Sequence, residues 1–243
     1  MKRFPLAVAL TALVGLCGWQ AATPRPVFAA EDSQVIADQT AERLQNLDDV
    51  KHQLRSYYAC TCSCGCYATD MNSQAQKAID ALKARVRRHA PGEKLAMVLD
   101  IDETSLSNWE QFSRVDFAYD AKAFTAWEDE ARAPALAGTL ALYRTARQLG
   151  VSVFFLTGRP ESERAATGKN LRAAGYDDWQ GLILRTPEQA RQTAIAFKSG
   201  ERARLVSAGY KLVLNAGDQW SDLKGDPEAE ISIKYPNPFY FIP

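Results

Sequence analysis

Leu95-Ala96-Met97-Val98-Leu99-Asp100-Ile101-Asp102-Glu103-Thr104 is a short apolar run that ends abruptly on carboxylates. An unbroken run of that length reads as a strand buried on both faces, the pattern of a parallel sheet. Working outward, Val151 to Leu156, Gly181 to Leu184 and Lys211 to Asn215 repeat the pattern, and Ile231-Ser232-Ile233 gives a fifth strand. Helical spacing over about 136–149, 161–174 and 199–208 separates them. Strands alternating with helices predict an α/β fold, a parallel sheet covered by helices on both faces. In such sheets ligands bind beyond the carboxyl ends of the strands. The residues that follow each apolar run are therefore the candidate site.

Alternation along an extended chain puts Asp100 and Asp102 on one side and turns Ile101 to the other. Two carboxylates crowded there repel unless a cation lies between them. The second strand ends in Thr157-Gly158-Arg159-Pro160, which brings a hydroxyl, an open backbone amide and a guanidinium. The fourth runs into Gly217-Asp218-Gln219-Trp220-Ser221-Asp222. Before the helix at 199–208, Ser199 reads as the N-cap, which would leave Lys198 at the positive helix entrance. Oxygen donors without His or Cys suit a hard cation, most simply Mg²⁺. A cation with Lys, Thr and backbone amides suits a phosphoryl dianion. An Asp beside that dianion can attack phosphorus, and a second two residues on can protonate the leaving oxygen and then activate water.

These four clusters resemble the motifs of haloacid dehalogenase superfamily phosphatases. Asp102-Glu103-Thr104-x-Leu106-x-Asn108 and Lys198-Ser199-x-x-Arg202 are similar to the secreted acid phosphatases of that superfamily, a branch that includes plant vegetative storage proteins. The resemblance covers roughly residues 92–235. It implies a Rossmann-like haloacid dehalogenase fold and an Mg²⁺-dependent phosphomonoester hydrolase. Asp100 would be the nucleophile and Asp102 the general acid/base. Thr157, Gly158, Arg159 and Lys198 would line the phosphoryl site. Asp218 would join Asp100 and the backbone carbonyl of Asp102 around the ion, with Asp222 acting mostly from behind. Small nucleotide, aryl or sugar phosphates are the expected substrates. A dedicated 5′-nucleotidase of the same superfamily and a non-catalytic metal-binding or storage protein are the alternatives.

The 243 residues carry 29 basic and 29 acidic side chains, with 47% hydrophobic and 24% charged. That composition excludes disorder, and zero net charge with no long basic run argues against nucleic-acid binding. His52 and His89 are the only histidines, too few for a His-based metal cluster. Lys2 and Arg3, the apolar run Phe4 to Cys17 and Val27-Phe28-Ala29 have the layout of a secretory signal peptide over 1–29. The run is too short for a stable membrane span. An uncleaved anchor and lipid attachment at Cys17 are the weaker readings, the latter because Leu16 occupies a position that needs a small residue. Cleavage leaves a mildly acidic exported chain. A helical extension, 30–91, with helices over 32–57 and 72–89, would precede the catalytic core, 92–243.

Cys60, Cys62, Cys64 and Cys66 lie between those helices. In an oxidising compartment an even count favours disulfides, although i,i+2 pairs on an extended chain approach the limit of bridgeable separation. A thiolate site for zinc or copper and free thiols are the alternatives. Trp109, Phe112, Phe117, Tyr119, Phe124 and Trp127 follow the first strand, in a segment too short for a large cap. They read as the packing of a small helical cover or as an aromatic platform for a leaving group. Tyr235 to Phe241 reads as an anchoring tail. Homo-oligomerisation is left open.

Overall fold

The computed structural model describes residues 44–62 and 64–242. The predicted signal peptide, Cys17 and the first part of the helix expected over 32–57 lie outside these residues. Thirteen helices and strands follow in the order α1 (Leu47–Ala59), α2 (Tyr67–Val86), β1 (Lys94–Leu99), α3 (Trp109–Arg114), α4 (Ala121–Glu130), α5 (Ala137–Gln148), β2 (Ser152–Pro160), α6 (Arg164–Ala173), β3 (Gly181–Arg185), α7 (Ala194–Ser207), β4 (Tyr210–Gly217), α8 (Trp220–Leu223) and β5 (Ser232–Lys234). The five strands form one sheet in the order β3-β2-β1-β4-β5, and every pairing is parallel. This is the predicted α/β architecture. No helix among the described residues is long and apolar enough to cross a membrane.

Burial on both faces follows from the apolar runs. On β1, Leu95, Met97 and Leu99 join one core with Val153 and Phe155 of β2, while Ala96 and Val98 join a second with Phe154 and Leu156. The strand period of two divides a continuous apolar run between two helical layers. The first layer holds α2 and α5, and the second holds α7 through Phe197 and Leu205. Full burial of one Leu or Phe contributes about 1.5–3 kcal/mol. A register shift between Ala96 and Met97 leaves Val213 of β4 between the two pairings.

Helix α2 buries Met71, Ala75, Ala78 and Leu82 at helical spacing. It runs close against α5, where a Cβ on Gly138 would lie 2.8 Å from both Ala75 Cβ and Asn72 Oδ1. The loop before α2 pairs Cys60 with Cys66 and Cys62 with Cys64, at Cα separations of 5.4 and 5.3 Å. Turns at this loop, with Gly65 at φ +102°, bring the alternating cysteines within bridging range.

One helix start differs from expectation. α7 begins at Ala194, capped by Thr193, whose Oγ1 accepts from Ala196 N at 3.2 Å. Ser199 is not the N-cap. It lies inside the helix and donates to Ile195 O at 2.8 Å. Lys198 therefore leaves the helix wall rather than its entrance, and its charge is placed by the helix face and not by the helix dipole.

Candidate active site

The carboxyl ends of β1, β2 and β4 open into one cavity of about 640 Å³. Asp100, Asp218 and Asp222 are all buried there, and each can offer an oxygen within 4.8 Å of the others. Each is fixed by its own loop. Asp100 is held through its backbone, where Ser105 Oγ donates to its carbonyl at 2.6 Å. Asp218 accepts from Thr104 Oγ1 at 2.9 Å, Gln219 Nε2 at 2.7 Å and Asn237 Nδ2 at 2.6 Å. Asp222 accepts from Gln219 N at 2.8 Å and folds back over Gly217, where any Cβ would collide with it. Gly217 is thus the position that lets Asp222 approach the strand end.

Lys198 Nζ donates to Asp100 Oδ1 at 2.6 Å and also to Asp222 Oδ1. Burial alone would lower its pKa, but the two carboxylates outweigh that and raise it. Burial pushes Asp100 well above the usual carboxylate range, against the pull of Lys198. Asp218 is pushed to about 6 by burial and then by the Asp222 charge. Three carboxylates and one ammonium leave an electron-rich, oxygen-only cluster. That donor set fits a hard divalent cation, and Asp100, Asp218 and Asp222 are the side chains that would hold it.

Asp102 is not in that cluster. Its carboxylate takes Arg159 Nε at 3.0 Å, Arg159 Nη2 at 2.5 Å and Asn108 Nδ2 at 2.8 Å. Burial works to raise this carboxyl, but Arg159 and then Asn108 overcome it and hold it below its ordinary value. Arg159 lines the cavity, and its guanidinium is bonded to Asp102, with Glu128 Oε1 3.2 Å away. Thr157 is fully buried, and its Oγ1 accepts from Arg159 N at 3.2 Å, while Gly158 reaches the cavity wall.

Glu103 and Asn108, quoted above only as parts of a motif, join residues of the C-terminal stretch in completing the site. Glu103 sits in the left-handed region at φ +53° and accepts from Asn108 N at 2.7 Å and Tyr240 OH at 3.3 Å. Burial and then the Asp102 charge push it to about 8. Asn108 also accepts from Trp127 Nε1 at 2.8 Å. The aromatic segment divides: Phe112, Phe117, Tyr119 and Phe124 line the cavity, whereas Trp127 is buried and Trp109 stacks on Tyr58 with centroids 3.9 Å apart. The C-terminal stretch is more than an anchor. Asn237 and Tyr240 reach the site, and Phe239, Tyr240 and Phe241 form part of the cavity wall.

A parallel sheet with acidic residues and a lysine converging beyond its central strands is the arrangement of the haloacid dehalogenase class. The family model "HAD superfamily, subfamily IIIB (Acid phosphatase)" matches residues 27–243, and the chain belongs to that family. It is 43% identical over 148 residues to acid phosphatase 1 of Solanum lycopersicum, covering 60% of this chain and 58% of that protein. It is 33% identical over 150 residues to vegetative storage protein 1 of Arabidopsis thaliana, covering 60% of this chain and 55% of that one. The chain thus spans somewhat under two thirds of the curated relatives it matches. The class C acid phosphatase of Bacillus anthracis shares the fold with a TM-score of 0.62 at 22% identity, over 80% of this chain and 86% of that one.

Proposed function

We propose that the chain is a Mg²⁺-dependent acid phosphatase that hydrolyses small phosphomonoesters through an aspartyl-phosphate on Asp100. The observation that carries this reading is the separation of two carboxylates on one strand end. Asp100 faces Lys198 and the acidic cluster, while Asp102 is held apart by Arg159 and Asn108. The division gives each a different task.

Asp100 Oδ attacks the phosphorus, forming the acyl phosphate bond as the ester P–O bond breaks. Asp102, held as the carboxylate at rest by Arg159 and Asn108, takes up a proton from acidic solvent and passes it to the departing oxygen. In the second step its carboxylate takes a proton from the water that attacks phosphorus, which frees Asp100 and phosphate. Lys198 Nζ and the exposed Gly158 amide offer donors to the phosphoryl oxygens, and Arg159 with Asn108 keeps Asp102 aimed. Asp100, Asp218, Asp222 and the Asp102 carbonyl would hold Mg²⁺, which when bound offsets the repulsion between the site's carboxylates and an incoming phosphate dianion. The aromatic wall suits an aryl or nucleoside leaving group. Hydrolysis of p-nitrophenyl phosphate with Mg²⁺, lost with EDTA and in Asp100→Asn, is the expected result. Full activity in EDTA or in Asp100→Asn would overturn the reading.

We also propose that the protein is exported and cleaved after Ala29. The mature amino terminus of exported protein, read by sequencing, should then begin at Ala30.

A further inference from the structure

Three cationic side chains border the cavity: Arg159, Lys198 and Arg185. The first two are charge-paired, Arg159 with Asp102, and Lys198 with Asp100 and Asp222. Arg185 differs. Among the described residues it has no carboxylate partner. Its Nη1 donates to Gln192 O at 3.0 Å, its half-buried guanidinium lies 4.9 Å from the Phe197 ring centroid, and its Nε has no hydrogen-bond partner. Burial without a counter-charge lowers its pKa. An Arg held at a cavity wall by a ring and one carbonyl, with donors to spare, is suited to an anion.

Its position says which anion. Arg185 ends β3 and pairs in register with Pro160, two strands away from β1 in the sheet. Strand spacing puts its Cα about 10 Å to the side of the nucleophile strand. Arg185 thus borders the cavity to the side of the nucleophile strand, in position to meet a substrate's leaving group. Resting on the phosphatase reading, we infer that Arg185 forms a second anion subsite, and that the preferred substrates are phosphomonoesters whose leaving group carries a carboxylate or a second phosphate.

The test compares 4-carboxyphenyl phosphate with p-nitrophenyl phosphate, which are nearly isosteric, in wild type, Arg185→Met and Arg185→Lys. Met keeps the aliphatic contact with Phe197. Taking the ratio of variant to wild type for each substrate cancels the difference between the leaving groups. Arg185→Met should lower kcat/KM for the carboxylated ester about tenfold to a hundredfold, the usual range for a charge-assisted hydrogen bond. The nitro ester should change less than about threefold, and Arg185→Lys should recover part of the loss. Equal losses on both esters, or no loss on either, would overturn the inference. Calorimetric titration with 4-carboxybenzyl phosphonate and benzyl phosphonate in Mg²⁺ gives a readout that needs no turnover. An inactive wild type would sink the phosphatase reading alone, and the subsite would then stand or fall on whether only the carboxylated ligand binds more weakly to Arg185→Met.

Discussion

Replacing Lys198 by methionine removes one charge from the centre of the acidic cluster and leaves the volume almost unchanged. Lys198 Nζ lies 2.6 Å from Asp100 Oδ1. At an effective dielectric of about 20 that pair is worth about 6 kcal/mol of gross attraction, and the contact with Asp222 adds a comparable amount. Desolvation of the buried ammonium returns much of this. The measured cost of removing one partner from a buried pair is about 3–5 kcal/mol, because the remaining charges are left uncompensated. Lys198→Met should therefore lose about 3–5 kcal/mol in EDTA, read from urea unfolding by tryptophan fluorescence. The cluster of Asp100, Asp218 and Asp222 would then lack its ammonium and attract a divalent cation more strongly. Tenfold tighter Mg²⁺ binding corresponds to about 1.4 kcal/mol, so saturating Mg²⁺ should narrow the gap to wild type by at least about that much. A loss below about 1 kcal/mol that is the same with and without Mg²⁺ would refute the reasoning, since Lys198 would then be filling space and not balancing charge.

Three further perturbations test other parts of the structure. Burial and then the Asp102 charge push Glu128 to about 9, despite Arg159 3.2 Å away. The folded chain thus keeps a proton that the unfolded chain releases near 4.5. That contribution to stability is complete at low pH and declines as pH rises toward 9, by at most about 1.4 kcal/mol per pH unit. Urea midpoints at pH 5, 6.5 and 8 should fall less steeply in Glu128→Gln. A Cβ at Gly138 would press on Ala75 and Asn72 of α2, so Gly138→Ala should lower stability by about 1–3 kcal/mol in the same assay. Asn237→Ala removes the 2.6 Å donor to Asp218. The Mg²⁺ concentration for half-maximal activity should rise about tenfold to a hundredfold, as when other groups that orient a ligand are lost.

The sheet was legible because each strand is an unbroken apolar run, and period-two alternation divides such a run between two helical layers. Asp100, Asp102, Asp218 and Asp222 stood out for the same reason, as charges placed where a buried strand stops. The helix start at Thr193 was less visible, because Thr193 and Ser199 are both competent caps and only packing of Phe197 against the sheet chooses between them. The task of Arg159 was hidden too. Its neighbours in sequence place it at a strand end, but its committed partners, Asp102 and Glu128, come from two other segments. Asn237 and Tyr240 had no local signal at all. Their role depends on the chain returning past β5 to the mouth of the cavity, which no periodicity records. Arg185 shows the same limit: as one basic residue at the end of a strand it is unremarked, and its meaning lies in the partners it lacks.

The account turns on a covalent bond to Asp100. Mixing the Mg²⁺-loaded protein with substrate, quenching within one turnover and reducing with borohydride would convert an aspartyl-phosphate to a stable alcohol that peptide mass spectrometry can place. The account predicts that this modification appears at position 100, only when substrate is present, and not in Asp100→Asn. Turnover with an unmodified Asp100, or with the label on another residue, would contradict it.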